Sequence, residues 1–181
     1  MSGVGRVIVG ASGSPGSLPA LRYAAGIAVR EQAELVAVHA WVPPGGDLAE
    51  RRCPSPYLRT MWAEEAAGRL ERALLAAWGG VPADVECQPM VVRGETGAVL
   101  VTVADDPDDL LVVGAGRRGR VARLGHGQVS RYCLARARCP VLAVPPAAPP
   151  ARRRPWSRRW ELAARQELTE PVGEQRRGGV R

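Results

Sequence analysis

The stretch from Leu110 to Pro145 constrains the fold more than any other part of the chain. An apolar run, Leu110-Leu-Val-Val-Gly114, empties into a loop rich in glycine and arginine, Ala115 to His126. Gly127-Gln-Val-Ser130 then opens a helical segment that reaches about Ala137, and a second apolar run, Val141-Leu-Ala-Val144, follows. A strand–helix–strand unit of this kind closes as a right-handed crossover between parallel strands. A strand that ends in glycines ahead of a helix start is also suited to an anion, because the first helical N–H groups are unpaired and the dipole is positive there. The chain therefore poses the question of whether a phosphate compound sits over Gly114–Ser130.

The same alternation runs through the first hundred residues. Arg6–Gly10 is a short β-branched run ended by glycine. Ser17 is placed to cap a helix through about Gln32, with Leu18, Leu21, Ala25 and Ala28 or Val29 as its apolar stripe. Leu35–Trp41 reads as the second strand, and Val42 to about Tyr57 as a loop with prolines at 43, 44, 54 and 56. Trp62, Ala66, Leu70 and Leu74 recur at helical spacing from Leu58 to about Trp78, and Gly79-Gly80 stops that helix. Val85–Val92 reads as a third strand despite Pro89, and Thr96 to Ala104 as a short helix. Leu110–Val113 is strand four, Val129 to about Ala137 the last helix, and Val141–Val144 strand five. This order predicts one open, doubly wound, five-stranded parallel α/β sheet with helices on both faces. Ligands of such sheets bind beyond the carboxyl ends of the strands, at the topological switch point. The strand-one loop at Gly10–Ser14 and the strand-four loop at Gly114 would meet there.

Several of these segments together resemble the universal stress protein family. Its members carry a loop G-x2-G-x9-G-[ST] after the fourth strand. Without gaps, the first glycine falls on Gly114 and the third on Gly127, and the frequent Gly-Ser-Val-Ser ending falls on Gly127-Gln128-Val129-Ser130. Arg6 to Ser14 is similar to the family's opening strand, which usually ends V-D-G-S. Leu35–Trp41 and Cys139–Val144 look like its second and fifth strands. The resemblance spans about residues 4–146. It implies a stress-response role, a homodimer formed through the fifth strand, and ATP or a related phosphate compound as ligand. By the same resemblance the ligand would lie against Gly10, Ser12 and Ala40 on one side. On the other it would meet Gly114, Gly116, Arg117, Gly127, Gln128, Val129 and Ser130.

The chain departs from the family pattern at three of these positions. Ser12 stands where nucleotide-binding members have the acid of V-D-G-S, near the base and ribose. Arg117 replaces the second motif glycine, which loses free φ and close backbone approach. Gln128 replaces the Ser/Thr and fills more space. Against this, Arg117, Arg118, Arg120 and Arg123 crowd one glycine-rich loop, and arginine pairs bidentately with phosphate. An altered polyphosphate site and a basic loop that has lost its ligand both remain open.

Other chemistry is poorly represented. The 181 residues contain 25 basic side chains, all arginine, so a Walker A loop is impossible without lysine. No G-x-S-x-G elbow and no paired acid and base suggest turnover, so no catalytic residue is expected. Cys53, Cys87, Cys133 and Cys139 form no C-x2-C pair and only two histidines exist, so no metal site is expected either. The thiols read as small buried apolar residues of a cytoplasmic, reduced protein. His39 reads as a packed or capping side chain, whereas His126 precedes a helix start and could touch an anion. Asp105, Asp106, Asp108 and Asp109 precede strand four, at the wrong end of the sheet for a ligand, and read as a solvated turn. No run approaches the ~20 apolar residues of a membrane span.

The organisation expected is an α/β domain over 1–146 and a basic tail over 147–181. The tail holds nine arginines against four glutamates, +5, and the remainder holds 16 against 14, +2. Pro145–Pro150 is a stiff linker by composition. Arg152 to Trp160 interleaves arginine with Trp156 and Trp160, which suits single-stranded nucleic acid or an acidic partner. Two function classes follow: a nucleotide-sensing stress protein, and a non-nucleotide interaction module of the same fold that works through its dimer surface or its tail.

Overall fold

A computed structural model describes residues 3–14, 16–80, 85–116 and 128–146. Ten elements follow one another: β1 (Arg6–Gly10), α1 (Ser17–Glu31), β2 (Glu34–Trp41), α2 (Gly46–Arg52), α3 (Pro56–Trp78), β3 (Cys87–Arg93), α4 (Thr96–Val103), β4 (Leu110–Gly114), α5 (Gln128–Arg136) and β5 (Val141–Val144). The strands form one sheet in the order β3-β2-β1-β4-β5, and every pairing is parallel. The switch point lies between β1 and β4, where the chain leaves one half of the sheet and begins the other. The fold is thus the doubly wound α/β sheet that the alternation predicts.

Burial on both faces explains the apolar runs. Val7, Ile8 and Val9 of the central strand are completely buried. Val7 and Val9 join Leu35, Ala37 and Val112 against α1 and α3. Ile8 joins Val36, Val38, Leu111 and Val113 against α4 and α5. The buried stripe of α1 is mainly alanine (Ala20, Ala24, Ala25, Ala28) with Leu21 and Ile27, which seats the helix close to the sheet. Val29 is exposed. Helix α3 starts at Pro56, two residues ahead of the expected Leu58. Proline stands at the first helical position, the Ser55 hydroxyl accepts from the Leu58 N–H at 3.3 Å, and left-handed Gly79 closes the far end. Pro89 is tolerated because β3 is an edge strand, paired only with β2.

Several expectations need correction. The proline-rich loop after β2 contains α2, a seven-residue helix. Asp47 sits in its first turn and Arg51 and Arg52 in its last, which complements the helix dipole. Long-range ion pairs hold it: Arg59 reaches the buried Glu50 at 2.7 Å, and Arg93 from the end of β3 pairs with Asp47 at 2.6 Å and with Glu50. Next, Ser17 does not cap α1. It is the first helical residue and is buried, and the capping oxygens belong to Ser14, whose hydroxyl accepts from the Ser17 N–H at 3.3 Å. Finally, the acidic run is not simply a solvated turn. Asp109 is 2 % exposed and takes both Arg6 Nε (2.9 Å) and Arg6 Nη2 (2.7 Å). Arg6 Nη2 also reaches Asp105 at 3.0 Å. This ion pair ties β1 to β4 at the amino end of the sheet and raises the Arg6 pKa further, chiefly through the Asp109 hydrogen bond.

The cysteines divide. Cys133 and Cys139 are buried among apolar side chains, whereas Cys53 is exposed, so the buried reading fails there. Burial pushes the Cys133 thiol up to about 11. Arg117–Gly127, including His126 and the remaining loop arginines, and the whole tail with its two tryptophans lie outside the described residues.

Candidate functional site

At the carboxyl end of the sheet the chain narrows to small residues. Gly10 ends β1, and the Ala11 N–H continues the ladder by donating to the Val38 carbonyl at 2.8 Å. His39, at the end of β2 and 7 % exposed, donates from Nδ1 to the Ala11 carbonyl at 2.7 Å. The carbonyl can only accept, so the proton sits on Nδ1. His39 is therefore the packed side chain that a lone histidine beside apolar residues suggests, and it fixes the root of the strand-one loop.

Beyond that root the loop turns on itself. Ser12, Gly13 and Ser14 are exposed, and Gly13 adopts φ +70°, a conformation that favours glycine. The Ser12 and Ser14 hydroxyls lie 3.0 Å apart, and the Ser17 hydroxyl donates to the Ser14 carbonyl at 3.1 Å. The start of α1 is thereby satisfied internally.

Gly114 is held by a tight approach. A Cβ there would come within 2.5 Å of the Gly16 carbonyl oxygen, so the entry to α1 passes directly over the end of β4. The strand-one and strand-four loops meet, as the switch-point argument requires. The Ala115 N–H donates to the Val144 carbonyl at 2.7 Å, and Gly116 turns the chain away with φ +75°. At the start of α5, Gln128 is exposed, Val129 is half-buried in the core beneath β4, and Ser130 is buried. Ala40 is half-buried on the α4–α5 face of β2. The structure thus brings Gly10, Ser12, Gly114 and Gly116 to one end of the sheet, while Arg117 and Gly127 lie outside the described residues.

The described crevice segments, 10–14, 114–116 and 128–130, hold no charged side chain. Charge for a phosphate would come from outside them. Sequence reasoning missed the flank of this end of the sheet, where Arg93 lies 6.0 Å from the Trp41 ring centroid while clamping α2. Its signal would have been the pairing of Arg93 with Asp47 and Glu50, which only the tertiary fold reveals. Among the described residues, no group of three or more His, Cys, Asp or Glu could hold a metal. None of their helices is long and apolar enough to cross a membrane.

An open parallel sheet with small-residue loops meeting at its switch point defines a doubly wound α/β protein of the kind that takes ligands at the carboxyl ends of its strands. A model of the universal stress protein family matches residues 3–145, and the chain belongs to that family. A universal stress protein of Mycolicibacterium smegmatis is 33% identical over 142 residues, covering 77% of this chain and 45% of that protein. One from Mycobacterium tuberculosis is 34% identical over 136 residues, covering 75% and 44%. The chain therefore spans a little under half the length of these relatives. A solved universal stress protein in complex with cAMP is 26% identical with a TM-score of 0.52, covering 81% of this chain and all of that one. The universal stress protein UspA from Lactobacillus plantarum shares the fold at 19% identity, with a TM-score of 0.60 over 80% of this chain and 99% of its own.

Proposed function

We propose that this chain is a regulatory stress protein that takes an adenine nucleotide, ATP in the first place, in the crevice between β1 and β4. The observation that carries this reading is the meeting of two glycine-bearing loops at the switch point, where Gly114 admits backbone and no side chain. The cAMP complex of a related family member supports an adenine nucleotide as the class. Gly10, Ser12, Ala40, Gly116, Val129 and Ser130 would line the ligand, with Gly127 and Gln128 at its phosphates. With serine at position 12, binding is weaker than an acid at that position would provide. Arg117 and its neighbours would supply the countercharge. Four free thiols, two of them buried, suit a reducing compartment and support a cytoplasmic place of action.

Calorimetric titration of Mg-ATP into the full chain, with cAMP and AMP in parallel, tests this. Saturable ATP binding that is lost in Gly127→Trp supports the reading. No heat up to millimolar nucleotide, or equal affinity in the variant, removes it.

One observation favours a second reading, a nucleotide-independent interaction module. The serines of the strand-one loop already satisfy one another, and the described crevice segments carry no carboxylate. In that case β5 would be the working surface, because it is an edge strand with only β4 beside it. Val144 accepts from Ala115, so alternation turns the Ala143 N–H outward. A homodimer through Val141–Val144 should dissociate in Ala143→Pro, read by sedimentation equilibrium; an unchanged mass would exclude this edge. The Arg152–Trp160 segment would add a salt-sensitive contact to nucleic acid or an acidic partner. Deleting 147–181 should abolish that contact.

A further inference from the structure

A second concavity lies at the opposite end of the sheet, on its other flank. The ends of α4 and α5 and the residues just after them flank an open groove of about 500 Å³ lined by Val101, Thr102, Asp105, Tyr132, Arg136 and Arg138. Because crossover helices run against the strands, this groove sits near the amino ends of β1 and β4, away from the switch-point crevice. Its floor is fixed. The Tyr132 ring rests on Gly97, where an added Cβ would come within 2.8 Å of it, and the Arg136 guanidinium stands 4.9 Å from the ring centroid. Stacking on an aromatic ring holds a guanidinium in place while leaving its edge N–H groups available for an anion.

The arginines here differ from most others described. Arg6, Arg59, Arg69, Arg72 and Arg93 each reach a carboxylate, and Arg22 donates to the Ala76 and Ala77 carbonyls at the end of α3. Arg136 and Arg138 are exposed and have no carboxylate partner among the described residues, as is true of Arg30, Arg51 and Arg52, but only Arg136 and Arg138 share one groove. The single acid in the groove, Asp105, has its Oδ1 engaged by Arg6 at 3.0 Å. Its other oxygen remains able to accept from a hydroxyl. The groove thus offers two guanidinium groups from the end of α5, and the Thr102 hydroxyl and one free carboxylate oxygen from the end of α4.

We propose that this groove binds a small hydroxylated phosphate monoester of the sugar-phosphate type. The phosphate would meet Arg136, Arg138 and Thr102, and a hydroxyl of the carbon skeleton would donate to Asp105. A dianion with three acceptor oxygens matches two fork-shaped donors and a hydroxyl better than a single carboxylate does. The proposal is independent of nucleotide binding at the other end of the sheet.

The test is titration of the isotope-labelled full chain with glucose 6-phosphate, followed by NMR, with inorganic phosphate and glucose as separate arms. Saturable shifts are expected at Thr102, Tyr132, Arg136 and Arg138, weaker with inorganic phosphate and absent with glucose. Arg136→Gln and Arg138→Gln should each weaken binding by about fivefold or more, whereas Arg30→Gln, an exposed arginine of α1, should not. Asp105→Asn should bring glucose 6-phosphate down to the level of inorganic phosphate. A non-saturating drift shared by all variants would overturn the proposal. So would shifts confined to Ser12–Ser14 and Gly114–Gly116, or full affinity in Arg138→Gln with its melting temperature unchanged.

Discussion

The two ends of the sheet solve different problems with the same strands. At the amino end, β1 and β4 are joined by a bidentate ion pair between Arg6 and a buried Asp109, and Gly5 adds an N–H to the Asp108 carbonyl at 3.0 Å. At the carboxyl end the same two strands finish in glycine, and the described loops above them contain serine, alanine and glycine with no charge. One end spends its side chains on fastening the strands. The other leaves them out where they would obstruct approach, which is where a doubly wound sheet takes its ligand. The contrast sets a fastened end against an end whose described loops carry no charge, where the proposed ligand would approach.

Replacing Arg6 with leucine should produce the largest effect, because Asp109 would remain buried without its partner. A loss of about 3 kcal/mol is expected, reduced by the partial exposure of the guanidinium. Urea unfolding of Arg6→Leu and of Arg6→Leu/Asp109→Leu checks it, and the double variant should recover much of the loss. Gly114→Ala should cost about 2 kcal/mol, because the new methyl meets backbone that cannot swing aside. A thermal melt equal to that of the parent would show that the Gly16 approach is not tight. Ser14→Ala removes only the longer of two acceptors of the Ser17 N–H and should cost about 0.5 kcal/mol, seen as modestly faster hydrogen exchange at Ser17 with Leu18 unchanged.

The smallest effect concerns pH and α2. Hydrogen bonds from Arg59, then Arg93, hold the Glu50 carboxyl below the ordinary glutamate range. Its folded value is lowered, so its contribution is complete above the unfolded glutamate value of about 4.3 and disappears as pH falls through the folded value. Protection against hydrogen exchange over Gly46–Arg52, relative to the intrinsic rate at each pH, should fall below that range, and more gently in Glu50→Gln, which carries no titrating group. Identical profiles in the two proteins would remove Glu50 as the cause.

The legible parts of the fold were those with local causes. Continuous apolar runs predict all five strands in order, and a paired glycine marks the end of α3. What stayed hidden depends on distant partners. Nothing near Asp109 distinguishes it from Asp105, Asp106 and Asp108, because its partner Arg6 stands 103 residues earlier. Helix α2 is only seven residues long and is flanked by Pro43, Pro44 and Pro54, and the arginine that clamps it lies 46 residues beyond Asp47. At the candidate site, the glycine pattern correctly indicates where two loops meet. It does not reveal that Gly114 is also demanded by the Gly16 carbonyl, so this glycine has a packing reason alongside any ligand. Ser17 shows the same limit: a serine at a helix start reads as a cap until the oxygen of Ser14 is found in that role.

The central claim is that the carboxyl end of the sheet, and not its fastened amino end, is the nucleotide site. Amide shift mapping of the labelled full chain during Mg-ATP titration tests it most directly. The account predicts saturable shifts at Ala11–Ser14, Gly114–Gly116 and Gln128–Ser130, with Arg6 and Asp109 unmoved. Shifts centred on Arg6 and Asp109, or no saturable shift up to millimolar ATP, would contradict it.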